Sequence, residues 1–114
     1  MSFDLAIWHE ESVAATYEAD EIYERILDGD RSILRPSREA RDFYAQLTSA
    51  FPDLDSANMH DSPWAAGIYV ADGCVVLAVS WSRVDEILPI VLSLASRCGL
   101  VVYDPQSREV HSPA

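Results

Sequence analysis

The sequence contains no lysine: all eight of its basic residues are arginine, against 19 acidic residues in a chain of 114. The formal net charge is −11. A surface of this sign repels phosphate backbones, so the composition argues against direct binding of nucleic acid. It favours a basic protein partner instead, with simple solubility as the alternative role of the charge.

Glycine and cysteine are scarce too. The four glycines are isolated, which excludes a glycine-rich phosphate loop and a Gly-x-Ser-x-Gly segment that marks a serine nucleophile. Cys74 and Cys98 occur without a Cys-x-x-Cys or Cys/His pattern. We therefore expect two buried, reduced thiols, with a disulfide or ligand pair as the alternative. No cofactor is predicted.

Long apolar runs are missing as well. None approaches the ~20 residues that span a bilayer, and no basic segment followed by an apolar one opens the sequence. We therefore expect a cytoplasmic protein that does not enter a membrane. The exclusive use of arginine is common where coding DNA is rich in G and C, which suggests a bacterial source.

The sequence does contain 49% hydrophobic residues, arranged in patterns typical of strands and helices. The clearest pattern is a hairpin, with strands over residues 67–71 and 74–81 joined by Asp72-Gly73. Asp-Gly suits this position because a type I′ turn requires positive φ at both central residues.

The first strand alternates over residues 3–8. Its two faces carry Phe3, Leu5 and Ile7, which we expect to meet the helices, and Asp4, Ala6 and Trp8. Ser12 predicts the cap of a first helix that stops at Asp28-Gly29. The inward face of this helix consists of Ala15, Ala19, Ile22 and Ile26, widened by Tyr23 and Leu27.

Two further helices follow. Ser37 is predicted to cap the second, which ends before Pro52, and Ser82 with Asp85 predicts a capping box for the third. Pro89 either kinks the third helix or lies a residue or two after its start. That helix ends at Gly99, and short strands over residues 100–103 and 108–111 complete the chain.

The element order β-α-α-β-β-α-β-β predicts one α+β domain over residues 1–114. Two right-handed crossovers joined by a hairpin give a ferredoxin-like antiparallel sheet. Its central strands are the first and third, and its helices lie on one face.

Three segments resemble a family of short acidic bacterial proteins of uncharacterised function. They are Phe3-Asp4-Leu5-Ala6-Ile7-Trp8, Ser62-Pro63-Trp64-Ala65, and the stretch over residues 95–106 with its Gly-Leu, apolar and Asp-Pro-Gln ending. The resemblance brings no catalytic residues with it. Some similar small acidic proteins look like immunity partners of secreted toxins, so the resemblance implies an immunity or antitoxin role.

Two groups of polar residues are candidates for chemistry. At one sheet edge we expect His9, Glu10, Glu11 and Asp72, but adjacent residues seldom chelate one ion, and we predict no metal site. The other edge is predicted to gather the pocket candidates His60, Asp61, Trp64, Asp104 and Gln106. There His60 with Asp61 or Asp104 would act as an oriented base. The alternative for Asp104-Pro105 is a turn whose carboxylate bonds local backbone amides.

The sheet face away from the helices is predicted to carry aromatic side chains. Its candidates are Trp8, Tyr69, Trp81 and Tyr103. A large exposed apolar patch usually marks an interface, so this face predicts a homodimer or a partner surface. The alternative is that the second helix or the final strand covers these rings within one chain.

Most of the net negative charge, −8 of −11, lies in residues 1–30. Residues 1–30 carry nine acids against Arg25 alone, and the predicted partner-binding ridge consists of Tyr17, Glu18, Glu21, Glu24 and Asp28. The leading hypothesis is a non-enzymatic acidic binding protein, immunity- or antitoxin-like, with a basic partner. The alternatives are a self-associating structural protein and, third, a small hydrolase or metal-dependent enzyme.

Overall fold

A computed structural model of the chain describes residues 2–13, 17–30, 32–71 and 73–113. Within these residues it has the strands β1 (Ser2–Trp8), β2 (Tyr69–Ala71), β3 (Cys74–Ser80), β4 (Val101–Asp104) and β5 (Glu109–His111). The helices are α1 (Ala19–Leu27), α2 (Arg38–Ala50) and α3 (Val84–Arg97). The predicted α+β class is confirmed.

The described strands form one antiparallel sheet in the order β2-β3-β1-β4-β5. β1 and β3 pair along their whole length, from Ser2 opposite Ser80 to Trp8 opposite Cys74. β4 flanks β1 on its other side over Ala6 to Trp8. The interior position predicted for the first and third strands is therefore confirmed.

Both faces of the sheet are covered by helices. Phe3, Leu5 and Ile7 pack in the main core with α2 and α3, as their alternation predicted. Ala6 and Trp8 pack in a second cluster with Ile22 and Ile26 of α1. The prediction of helices on one face is wrong because β1 is apolar on both sides, and α1 buries the side that carries Trp8.

The first helix is shorter than predicted. Ser12 does not cap it; this buried residue ends a 3₁₀ turn over Glu10–Ser12, and Glu18 precedes α1 instead. Ala15, placed on the inward face from the sequence, lies outside the described residues. The second helix matches its prediction, since the Ser37 hydroxyl accepts a hydrogen bond from the Ala40 amide at 3.1 Å.

The start of the third helix differs from its prediction. Residues Trp81–Arg83 form a 3₁₀ turn, Arg83 occupies the N-cap, and no side chain caps the helix, so the Ser82–Asp85 capping box is wrong. α3 begins at Val84 and continues through Pro89. In the described part of the chain, no helix has the length and apolar content that crossing a membrane requires.

The β2–β3 hairpin has the predicted two-residue connection, because Ala71 pairs with Cys74. Gly73 adopts φ of 79°, as the turn prediction required for its second residue, whereas Asp72 lies outside the described residues. A Cβ atom at Gly73 would lie 2.2 Å from the Arg35 carbonyl oxygen. The hairpin therefore packs tightly against the segment that precedes α2.

Candidate functional site

Helix α1 presents carboxylates to solvent because its apolar stripe is narrow. Ile22 and Ile26 lie against the sheet with Ala19 and Tyr23 packed beside them, and apart from Leu27 the remaining side chains of the helix are polar. The predicted ridge residues Glu18, Glu21, Glu24 and Asp28 are all exposed. For Glu21 and Glu24 this placement follows from helical periodicity, whereas Glu18 and Asp28 flank the helix as its N-cap and C-cap.

Arg25 neutralises part of this acidic surface. Its guanidinium lies 3.3 Å from the Glu21 carboxylate and 3.0 Å from that of Asp30. The hydrogen bond that Arg25 donates to the Asp30 carboxylate is the main reason that the pKa of Arg25 is raised. Hydrogen bonds from Ser32, followed by that from Arg25, lower the pKa of Asp30.

Tyr17, the predicted aromatic anchor, is half-buried beside the same arginine. The Arg25 guanidinium carbon lies 4.4 Å from the centre of the Tyr17 ring, within cation–π range. Tyr17 and Arg25 therefore stabilise one another's position beside α1. The Tyr17 ring already has a cation–π contact within the chain.

Three ridge carboxylates remain outside this network. Glu18, Glu24 and Asp28 form no ion pair with any residue in the described ranges. Two of them lie in a hollow of about 400 Å³ on the solvent side of α1, which is lined by Glu21, Glu24, Arg25, Asp28 and Asp30.

An apolar groove of about 350 Å³ adjoins this acidic hollow. It lies between the end of α1 and the β2–β3 hairpin, and it is lined by Ile26, Leu27, Gly29, Tyr69 and Val76. Leu27 is 59% exposed and Tyr69 37% exposed. We refer to these five residues as the Leu27 groove.

Sequence reasoning missed this groove because it assigned Leu27 to the buried stripe. Leu27 is one residue, about 100° of helical rotation, from buried Ile26, and it directly precedes the Asp28-Gly29 stop. A position at the edge of a short stripe and the end of a helix is a recognisable signal for exposure. Val76 gave no such signal, because it lies in a continuous apolar strand.

The aromatic patch predicted for the sheet is not present. Trp8 and Tyr103 are each only 3% exposed, because α1 covers them. The Tyr23 ring of α1 lies 5.7 Å from that of Tyr103. The expectation that these two residues face solvent is therefore wrong. The alternative of burial within one chain holds for them, but it named the second helix or the final strand as the cover, whereas the first helix, α1, covers them.

Tyr69 and Trp81 are exposed but do not belong to one patch. Tyr69 lines the Leu27 groove. The Trp81 ring packs edge-on at 5.1 Å against Phe3, whose side chain belongs to the core under α2 and α3. The homodimer remains a prediction, but the four-residue patch on which it was based does not exist.

Asp104 and Gln106 have structural partners. The Asp104 carboxylate accepts hydrogen bonds from the backbone amides of Gln106 at 2.9 Å and Ser107 at 3.4 Å, which confirms the predicted turn. The Gln106 side chain accepts from the Asp4 amide at 2.7 Å and donates to the Asp4 carbonyl at 2.8 Å. The Asp-Pro-Gln segment thus closes a turn and fastens it to β1.

The other pocket candidates are not assembled into a site. Trp64 is buried, and its indole Nε1 donates to the carbonyl oxygens of Phe51 and Pro52. His60 and Asp61 are exposed in the loop before it. A hollow of about 240 Å³ near this loop includes Asp61 but none of the other four candidates.

The described residues also include His9, Glu10 and Glu11 of the other predicted sheet edge and both cysteines. Among the described residues, no three His, Cys, Asp or Glu side chains are arranged to hold a metal ion. His9 is half-buried, Glu10 and Glu11 are exposed, and Asp72 lies outside the described residues. Cys74 is buried, whereas Cys98 is half-buried, and burial raises the pKa of its thiol, which disfavours the nucleophilic thiolate.

Comparisons of the chain with protein-family models, with curated proteins and with solved structures give no match. The resemblance to short acidic bacterial proteins therefore stays a prediction. The geometry of α1 and the Leu27 groove carries the functional interpretation.

Proposed function

We propose that this chain is a non-enzymatic binding protein that presents helix α1 to a basic protein. The observation that carries this proposal is the position of Glu24 and Asp28. Both are exposed near the C-terminal end of α1, and neither forms an ion pair with a residue in the described segments.

Helix stability accounts for the acids at the start of α1 but not for those at its end. Asp20 and Glu21 lie in the first turn, where the helix dipole favours negative charge. Asp28 is the C-cap, and Glu24 lies one turn before it. There the dipole opposes a carboxylate by a few tenths of a kcal/mol, so a function in binding is the better reason for their presence.

We further propose that the protein acts in the cytoplasm of a bacterium as an immunity- or antitoxin-like partner. The resemblance of its Asp-Pro-Gln segment and opening strand to short acidic bacterial proteins supports this role.

For the fold we propose a ferredoxin-like arrangement that is extended by β5 and has α1 added on the outer face of the sheet. The strand order β2-β3-β1-β4 supports this arrangement. Engagement of Asp104 in its own turn supports a non-enzymatic role.

The test compares two triple charge reversals. Glu18→Lys, Glu24→Lys and Asp28→Lys remove the unpaired carboxylates of α1, while Asp42→Lys, Asp85→Lys and Glu109→Lys make the same net change on other exposed positions. Binding proteins are recovered from the native lysate at low salt and purified. Their association rates with each variant are then measured by stopped flow.

We expect the α1 triple to slow association by at least about tenfold at low salt, and more than the control triple, because local steering is lost. The difference should shrink at physiological salt, where the Debye length is ~8 Å. Equal association rates for the wild type and the α1 triple would contradict the proposal and would mean that the acids contribute only to solubility.

A further inference from the structure

We infer that the Leu27 groove binds a protein segment that combines an apolar side chain with arginine or lysine beside it. This inference rests on the proposed function and names the partner chemistry at that surface. It joins two neighbouring features of the same helix end, the apolar groove and the acidic hollow.

The groove is suited to an apolar side chain. Its walls are Ile26, Leu27, Tyr69 and Val76, and the side chain of Leu27 is the most exposed large apolar group among the described residues. A closed cavity of about 150 Å³ holds a benzene-sized group. An open groove of about 350 Å³ therefore has room for one large side chain and part of a second.

The acids next to the groove define what must accompany that side chain. Asp28 stands between Leu27 and Gly29, which both line the groove, and Glu24 lies one helical turn earlier in the acidic hollow. Arg25 is already shared by Glu21 and Asp30. A cation from the partner would therefore meet Glu24 and Asp28.

A second copy of the chain does not fit this surface as well. In a two-fold dimer the same patch meets itself, so Glu24 and Asp28 would face the same residues of a molecule that also carries a net charge of −11. Like charges brought together at an interface oppose association. A neutral apolar ligand would use the groove but leave the carboxylates without a counterpart.

The experiment uses two capped octapeptides as probes, one alternating arginine and leucine and one alternating arginine and serine. Each is titrated at low salt into the ¹⁵N-labelled full chain. We expect the leucine peptide to bind at least about fivefold more tightly, because it buries apolar surface that the serine peptide lacks. Its amide shifts should centre on residues 26–30 and 69–76.

Two protein variants locate the effect. Leu27→Ser should reduce the preference for leucine to less than about twofold while leaving the serine peptide's affinity unchanged. Val110→Ser, at an apolar residue on β5 that is 50% exposed against 59% for Leu27, should preserve the preference. Both positions are exposed, so neither variant removes a core contact.

The possible results separate this inference from the proposed function. Equal binding of both peptides, with shifts along α1, would overturn the groove assignment and support the acidic binding surface alone. Leucine-dependent shifts away from the groove, or a preference that survives Leu27→Ser, would also overturn it. Absence of binding by either peptide at low salt would count against both proposals.

Discussion

Gln106 shows how one side chain extends a sheet beyond its strands. β4 pairs with β1 only from Ala6 to Trp8, so the Asp4 backbone lies past the end of that pairing. The Gln106 amide accepts from the Asp4 N–H and donates to the Asp4 carbonyl, as a strand residue would. Asp104, which accepts from the Gln106 backbone amide, holds the turn that positions it.

Gln106→Ala should lower the free energy of unfolding by about 1–2 kcal/mol, because it removes two hydrogen bonds to the backbone of the central strand. Gln106→Glu should be at least as destabilising at neutral pH, since a carboxylate cannot donate to the Asp4 carbonyl. Urea denaturation measures both. Ser107→Ala is the control, and a Gln106→Ala midpoint equal to that of the control would contradict the role.

Asp53 organises the loop that follows α2. Its carboxylate accepts hydrogen bonds from the Ile68 amide at 2.9 Å, the Leu54 amide at 2.8 Å and the Tyr44 hydroxyl at 2.8 Å. Burial alone would raise the pKa of Asp53, but these hydrogen bonds outweigh it and the pKa is lowered. Ionised Asp53 is therefore the form that the fold favours.

A lowered pKa in the folded state fixes the sign of the pH dependence. Asp53 contributes stability above the unfolded value of about 3.9, and this contribution is lost as the pH falls through the folded pKa. Asp53→Asn should therefore be less stable at neutral pH, by about 1 kcal/mol, and lose less stability between pH 5 and pH 2.5. Chemical denaturation across this range tests it, with Asp42→Asn as the exposed control; parallel curves for wild type and Asp53→Asn would refute it.

At the scale of elements, local patterns predicted the strands and α2 well, and they predicted the extent of α3 better than its capping. The alternation in β1 predicted correctly that Phe3, Leu5 and Ile7 face the main core. Ser37 and Pro52 predicted where α2 begins and ends. The start of α1 was wrong because Ser12 has the chemistry of a cap but ends a 3₁₀ turn instead. The intrinsic preference of serine for a helix N-cap does not decide whether a helix starts there, because tertiary packing also determines the local structure.

The placement of α1 could not be derived from its own sequence. Its two buried isoleucines would fit either face of the sheet, and only the need to cover Trp8 and Tyr103 selects the outer one. The exposure of Glu24 followed from helical periodicity, whereas Glu18 and Asp28 are exposed as the residues that cap the helix. The Leu27 groove did not, because its other wall belongs to the β2–β3 hairpin, far along the chain.

Three glycines give a graded test: Gly73 in the β2–β3 hairpin, Gly29 after α1 and Gly67 before β2. Gly73→Ala should destabilise by about 2–4 kcal/mol, since φ is 79° and the new Cβ would lie 2.2 Å from the Arg35 carbonyl oxygen. Gly29→Ala meets no atom within 4 Å but has φ of 81°, so about 1 kcal/mol is expected. Gly67→Ala has neither constraint and should be nearly neutral.

Thermal or urea unfolding ranks the three variants. The order Gly73, Gly29, Gly67, from most to least destabilised, is the expected outcome. A Gly73→Ala protein as stable as Gly67→Ala would mean that the hairpin does not pack against the Arg35 segment.

At the scale of the whole molecule, the charge should work against the folded state. Nine acids against one arginine in residues 1–30 repel one another when the chain is compact. We expect the melting temperature to rise by several degrees between 10 mM and 150 mM NaCl as screening shortens the Debye length from ~30 Å to ~8 Å. The Glu18, Glu24 and Asp28 triple reversal should weaken this salt dependence, and a melting temperature that falls with salt in the wild type would contradict it.

The interior position of β1 has a consequence during synthesis. Asp4 and Gln106 are 102 residues apart, so at 5–20 residues per second the ribosome needs roughly 5–20 s to supply the last partner of this strand. Until β3 has been made this largely apolar seven-residue strand has no partner at either edge, and the edge that β4 pairs stays open for longer, which is a hazard for nascent chains. The acids that follow it closely, from Glu10 to Asp30, occupy the flanking position of gatekeeper residues, so we expect the charge that we assign to partner binding also to oppose such association before the protein has folded.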